Sequence, residues 1–229
     1  MHRIITLSLA AFLCLVLGQL SFGEEVLFED KFEGKLSPKW KIVGLKKEDY
    51  RIKNGELEMR VQPGEKTKDS PMLKVLIPFE AKDNVTASVD LTIVDKFTEP
   101  TETAGLYLIN ESGPEFRAEK RKLNGLLVFS PAKPEFIGKQ GEDGDPQQYA
   151  LKFWPANESF GALQIIVSSD RAFFQVGPSK DGKYLNLFHS AIITDRPGRG
   201  FGLRTCGGPA DKEHWVRFDN FRVVRDGRN

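Results

Sequence analysis

Cysteine is almost missing from this 229-residue chain, which has only Cys14 and Cys206. Cys14 lies in the leading segment discussed next, so Cys206 stands alone in the rest. That excludes a disulfide-stapled mini-domain and any intrachain disulfide. An excess of either charge is missing too. Lys and Arg number 33 against 32 Asp and Glu, so no electrostatic argument favours nucleic acid or an acidic membrane as partner. Histidine is scarce, with 3 residues. Long apolar runs are absent beyond positions 4–17, about 14 residues, which falls short of the ~20 that a membrane-spanning helix needs. Helical periodicity is nearly absent after residue 24.

What the chain does have begins with that leading run. Met1-His2-Arg3 is a short basic start, and Ile4 to Leu17 is apolar apart from Thr6 and Ser8. Ser21 and Gly23 then put small residues at the −3 and −1 positions of a cut before Glu24. This is the layout of a secretory signal peptide over 1–23. Phe12-Leu13 before Cys14 does not suit a lipidation site, so Cys14 belongs to the apolar run. The expected mature protein is therefore soluble, and secreted, periplasmic or at the cell surface. Without Arg3 its basic and acidic residues balance at 32 each. A lone Cys206 in an oxidising compartment is expected to be a buried small hydrophobe.

The remainder alternates as strands do. Val85, Ala87, Val89, Leu91 and Ile93 share one face, and Thr86, Ser88, Asp90 and Thr92 share the other. Similar runs cover 104–109, 126–129, 149–154, 163–167, 172–176 and 215–224. Turn signals separate them, including Asn54-Gly55, Pro63-Gly64, Asn124-Gly125, Ser169-Asp170 and Asp181-Gly182. About twelve strands without a βαβ rhythm predict an all-β antiparallel sandwich or barrel. No linker or repeat interrupts the chain, so a single domain over 24–229 is expected. Ser130 to Pro146 reads as a long surface loop. A chain this long buries around 70% of its unfolded surface and needs no metal to fold.

Both ends of the mature chain carry a frame. Leu27-Phe28-Glu29-Asp30-Lys31-Phe32 is followed by Leu36-Ser37-Pro38-Lys39-Trp40, then by Tyr50 to Leu57 with Asn54-Gly55 inside. Val216-Arg217-Phe218-Asp219-Asn220-Phe221-Arg222-Val223 closes the chain. In the middle stand Ala104-Gly105-Leu106-Tyr107, then Ser112-Gly113 with Phe116-Arg117. This frame resembles the concanavalin A-like lectin/glucanase superfamily, in its secreted bacterial laminin-G-like and keto-glycoside-hydrolase-like forms. The resemblance implies a jelly-roll sandwich of two curved sheets whose concave face binds glycans. It also implies a structural calcium on the convex face, held by Asp219 with backbone carbonyls. A bacterial origin would leave the three sequons at Asn84, Asn110 and Asn157 silent, whereas a eukaryotic host would put glycans there.

The carboxylate pattern argues against hydrolysis. A retaining glycosidase needs two carboxyl groups about 5–5.5 Å apart. Laminarinase-type relatives supply them from one strand as E-x-D-x-x-E, and this sequence has no such motif. The nearest substitutes are Asp90 on the polar face of 85–93, and Glu119 in the run Glu115 to Lys122, which reads as a solvated, charged edge strand. His189 and His214 form no metal-binding pattern. Glu142-Asp143-Gly144-Asp145 lacks the distal Glu of a calcium loop. Sugar binding asks for less: an exposed aromatic ring and fixed polar groups. If Leu151 and Phe153 face the core, Trp154 faces away from it, and Tyr107 likewise alternates against Leu106 and Leu108. Asp90, Arg117, Gln164, Gln175 and Arg204 are polar residues at strand positions expected to line the same sheet. Trp40 and Trp215 are expected to pack. The reading is a secreted, non-catalytic carbohydrate-binding jelly roll. The alternatives are a glycoside hydrolase using Asp90, Glu119 and Arg117, or an envelope scaffold that binds protein.

Overall fold

The computed structural model describes residues 24–64, 70–80, 82–111, 113–121, 127–129, 149–151, 160–169, 171–177, 185–192 and 199–227. Within these, the side chains of 113–116, 121, 127–129, 149–151 and 185–192 are left undescribed. Trp154, Asn157 and the 130–146 stretch lie outside the described residues.

The described chain is strands with one 3-10 turn at Lys47–Asp49. The strands are β1 (Glu25–Asp30), β2 (Lys41–Val43), β3 (Tyr50–Lys53), β4 (Glu56–Arg60), β5 (Met72–Leu76), β6 (Val85–Ile93), β7 (Thr103–Asn110) and β8 (Gly113–Arg121). They continue as β9 (Leu127–Phe129), β10 (Tyr149–Leu151), β11 (Phe160–Ser168), β12 (Arg171–Gly177), β13 (Leu185–Ile192), β14 (Gly200–Cys206) and β15 (Trp215–Arg225). The first sheet runs β13-β12-β11-β6-β15-β4-β3, with β1 also on β15. The second runs β10-β9-β8-β7-β14-β5-β2. All strand pairings are antiparallel, as alternation without crossover helices requires.

Alternation decides which side chains meet between the sheets. Val85, Ala87, Val89 and Leu91 of β6 face Leu106 and Leu108 of β7 and Phe201 and Leu203 of β14 in one buried cluster. Asn54 and Gly55 both take positive φ, 56° and 80°, and close β3 onto β4 as the Asn-Gly pair predicts.

The frame motifs owe their residues to folding. Asp30 is buried and accepts hydrogen bonds from Phe32 N (2.8 Å), Ser37 N (3.0 Å) and the Trp40 indole N–H (2.8 Å). It thereby turns the chain after β1 and seats Trp40. Trp40 packs edge-on against Phe221 at 4.8 Å and Phe28 at 5.4 Å between ring centroids, joining both ends of the frame. Strict alternation would send Phe218 and Phe221 to opposite faces, yet both are fully buried in the core. A bulge resolves this: the β15–β6 register shifts between Asp219 and Arg222, and Asn220 takes φ 50°. Asparagine tolerates that conformation, so Phe-Asp-Asn-Phe is a bulge signature. The bulge falls where one edge of β15 passes from β4, paired at 215–218, to β1, paired at 221–225.

On β4 of the first sheet, Glu58 is enclosed by cations. It receives Arg51 Nε at 2.7 Å and Arg217 Nε at 2.9 Å, with Lys53 Nζ at 3.7 Å. Burial alone would push its pKa up, but the hydrogen bonds from Arg217 and Arg51 prevail and hold it below the usual glutamate value. A carboxylate lowered in the folded state contributes stability above the pKa of the unfolded chain, and that stability disappears as pH falls through the folded value. Urea midpoints of the native protein should therefore drop on acidification below about pH 5. Glu58→Gln should flatten that part of the profile; an unchanged profile would show that the guanidinium pair is not what holds Glu58 ionised.

Candidate functional site

The polar residues singled out in the sequence divide between two opposite surfaces. β6 places Asp90 on the outer side of the first sheet, beside Asp219 of β15 and Ala162 of β11. Gln164 and Gln175 pair across β11 and β12 on that same sheet. Tyr107, Arg117, Glu119 and Arg204 belong to the second sheet. The expectation that Asp90, Arg117, Gln164, Gln175 and Arg204 line one surface is therefore incorrect. Asp90 and Glu119 cannot act as a catalytic pair, because the core separates them. Alternation gives a residue's side of its own strand, and only tertiary pairing says which sheet that strand joins.

The second-sheet group is built from two adjacent rows across β14, β7 and β8. One row reads Gly202, Tyr107, Arg117, and the next reads Arg204, Gly105, Glu119. Tyr107 faces away from Leu106 and Leu108, as alternation predicts, but it is fully buried and packs with Met72 and Ile109. It is not an open stacking platform. Its hydroxyl donates to Glu119 Oε1. Arg204 is 1% exposed and places its guanidinium carbon 5.7 Å from the Tyr107 ring centroid. Arg117 Nε lies 3.7 Å from Glu119 Oε1, and its side chain is 20% exposed. Of the four, Arg117 reaches the surface.

Glycine makes this packing possible. A Cβ on Gly105 would strike the Ala118 carbonyl oxygen and lie 2.9 Å from Glu119 Cγ. Gly105→Ala should cost about 1–3 kcal/mol by overpacking and displace Glu119 from Tyr107. Denaturant unfolding measures the cost, and a loss well under that range would mean that the strands part easily at this point.

At Glu119 and Lys120 the run Glu115 to Lys122 is not a solvated edge. β8 pairs with β7 on one side and with β9 on the other, and Glu119 and Lys120 are buried. Burying a carboxylate is tolerated here because the phenol and guanidinium meet it. Glu115 falls at the register shift opposite Leu108 and Ile109, and its side chain is undescribed. Among the described side chains on this face of β14, β7 and β8, Glu119 is the carboxylate, with no second one to complete a dyad.

Asp219 sits directly opposite Asp90. Asn220 donates its backbone N–H to Asp219 Oδ1 (2.7 Å) and its amide to Asp90 Oδ2 (3.0 Å) and Asp219 Oδ2 (3.2 Å). Burial pushes the Asp219 pKa up, and the charges of Glu56, Asp90 and Glu33 add to it against the Asn220 hydrogen bond. A calcium ion needs oxygen ligands converging on it. Here an amide N–H₂ lies between the two carboxylates, which does not fit a cation. Among the described residues no group of three or more His, Cys, Asp and Glu is placed to hold a metal.

A further polar cluster gave no signal in the sequence. Glu102 is fully buried and receives the backbone N–H of Thr98 and of Glu99 (2.7 Å), with His214 Nδ1 at 2.5 Å. The two side chains are 112 positions apart, and no spacing rule links them. Beside them lies a shallow depression of about 330 Å³, lined by Gly64, Glu99, Thr101, Gly207, Gly208 and their neighbours, without an aromatic ring. Cys206 is buried against Thr103, as expected. Trp40 and Trp215 pack, the latter under Arg51 at 4.0 Å. His189 lies in β13, with its side chain undescribed. Asn110 is 4% exposed at the end of β7, which leaves no room for a glycan there. Asn84 accepts Ser168 Oγ at 2.6 Å.

No family model matches this sequence, and no curated protein matches it. Solved structures do match in fold. The catalytic domain of a laminarinase from Thermotoga petrophila RKU-1 superposes with a TM-score of 0.59 at 14% identity, covering 90% of this chain and 99% of that one. An endo-acting O-glycanase of the human gut microbiota gives 0.61 at 14% identity, covering 88% and 99%. A xylan β-1,4-xylosidase from Bacillus halodurans C-125 gives 0.62 at 11% identity, covering 85% of this chain. This chain spans 38% of the xylosidase's length. The architecture they share with this chain is a jelly-roll sandwich of two antiparallel sheets. No helix among the described residues is long and apolar enough to cross a membrane.

Proposed function

We propose that this chain is an exported, carbohydrate-binding jelly-roll domain that engages glycan through the outer face of the second sheet without cleaving it. The leading segment 1–23 supports export, through its basic start, apolar run and small-residue cut site. Similarity of fold to glycan-acting enzymes supports carbohydrate as the ligand class. The observation that carries the non-catalytic reading is the separation of carboxylates. Glu119 stands without a second described carboxylate on its face, and Asp90 lies across the core.

A second reading, hydrolysis, draws on one specific observation. The laminarinase domain that this chain covers almost end to end is itself catalytic. One experiment separates the two. The purified protein is titrated calorimetrically with a panel of neutral and acidic oligosaccharides, and each mixture is then assayed for new reducing ends. Binding without release supports the proposal. Release that Glu119→Gln abolishes would replace it with hydrolysis. Silence in both assays would leave protein binding as the function to pursue.

A further inference from the structure

Resting on that reading, we infer that the glycan is anionic, carrying carboxylate or sulfate groups, and that lysines at the β2 edge of the second sheet receive it. Overall neutrality conceals a local imbalance. Residues 31–49 hold six lysines against Glu33, Glu48 and Asp49. Asp49 is buried, accepts the Lys46 N–H and lies 3.9 Å from Arg60. Lys39, Lys41, Lys46 and Lys47 are exposed, and Lys74 of β5 is half-buried. Among the described residues, none of these five lysines has a carboxylate within ion-pair distance. By contrast, Arg51 and Arg217 share Glu58, Arg222 meets Glu24 and Arg225 meets Glu25.

Strand pairing fixes where two of these lysines point. Leu73 and Val75 belong to the core, so Lys74 between them faces outward. Lys41 of β2 stands directly opposite Lys74. Side chains in that relation start about 5 Å apart, and like charges there destabilise a sheet. An anion placed against the pair relieves the repulsion, whereas a neutral sugar does not. The pair is continuous with the proposed glycan face, because Lys74 also pairs with Gly202, and Gly202 with Tyr107. That continuity favours a glycan over an acidic lipid surface. Leu76, on the same side of β5 as Lys74 and 38% exposed, offers apolar contact to the C–H groups of a sugar ring. Lys39, Lys46 and Lys47 lie within four residues of the ends of β2, so the flanking loops carry the same charge along the edge. A series of cations suits a polymer that bears negative charge at intervals.

The test uses the full folded protein and five probes: a short oligogalacturonate, its methyl ester, a sulfated galactan oligosaccharide, phosphatidylglycerol vesicles and duplex DNA. At least one anionic glycan should bind about ten-fold tighter than the ester, the size expected of two exposed charge pairs acting together. Added salt should weaken that binding. Lys41→Gln and Lys74→Gln should each lower it, and the double variant should remove the preference. The urea midpoint of the double variant should stay level or rise, because the repulsion is gone; a residue needed only for folding would lower it. Lys82→Gln, which removes a lysine already paired with Glu80 at 2.7 Å, should leave the preference intact. The carboxylated and sulfated probes distinguish the two sources of negative charge. Equal affinity for both anionic glycans and the ester overturns the inference while leaving glycan binding intact. So does a preference that survives the double variant, or one that Lys82→Gln lowers as much as Lys41→Gln. Tighter binding to the vesicles or to DNA than to either anionic glycan also overturns it, and assigns the lysines to that partner instead. Failure of these probes and of every neutral glycan in the wider panel to bind overturns both the inference and the reading beneath it.

Discussion

Replacing Asp30 with alanine is expected to cost about 3–5 kcal/mol of folding stability, because hydrogen bonds to a charged group are worth more than neutral ones and their donors would be left buried. Three donors converge on this carboxylate: Phe32 N, Ser37 N and the Trp40 indole. The loss would extend beyond them. Trp40 is the ring that Phe28 and Phe221 pack against, so loosening its indole loosens the contact between the first and last parts of the frame. Phe32 holds φ 55°, an uncommon conformation for a non-glycine residue, and its backbone N–H bonds to Asp30. Urea denaturation followed by tryptophan fluorescence would report the change, since Trp40 is one of three tryptophans. Asp30→Asn, which keeps one acceptor oxygen, should lose less than Asp30→Ala. A cost below about 1 kcal/mol for alanine would show that water replaces the carboxylate and that the turn does not depend on it.

Glu102→Ala should be of similar size, about 3–5 kcal/mol, since it removes one partner from a buried pair. Glu102 ties Thr98 and Glu99 of its own loop to His214, and the His214 carbonyl in turn receives Val61 N at 2.7 Å. Three segments remote in sequence are fastened at one end of the sandwich. A double-mutant cycle with His214→Phe should give a coupling of about 1–3 kcal/mol, as expected for residues in direct contact within one network. Additive single effects would mean that the two side chains contribute independently, and the fastening described here would fail.

Much of the fold was legible in the sequence, for a local reason. The period of two in Val85 to Ile93 follows from backbone geometry alone, and the structure repeats it through Thr92, with Ile93 half-buried against the core. Asn54-Gly55 encodes its turn through two residues that accept positive φ. The candidate site was legible only in part. Tyr107 was correctly placed on the side away from the core, but its burial depends on neighbours in other strands. Asp90 and Glu119 look equivalent as carboxylates on alternating strands, yet β6 pairs with β11 and β15, whereas β8 pairs with β7 and β9. The charged run at Glu115 to Lys122 resembled an edge because charges usually mark edges. Tertiary pairing overrode that tendency by supplying Glu119 with a phenol and a guanidinium. The Glu102–His214 contact left no trace at all, since two ordinary residues far apart carry no period. Phe218 and Phe221 were misleading in another way. Their spacing breaks alternation, and the Asn220 bulge that restores both to the core becomes readable only once its positive φ is known.

The placement of β15 sets the order in which this molecule can assemble. The strand pairs with β6 on one edge and with β4 and β1 on the other, so the middle of the first sheet stays open until it arrives. Arg225 meets Glu25 from 200 positions away. Closing loops of that length comes before any reward from the contacts they bring, which makes such topologies slow to fold. On a ribosome, β1, β3, β4 and β6 would all emerge and wait. A chain that stays unfinished until its final described strand appears has time to be threaded elsewhere, or captured by a chaperone, before it sets.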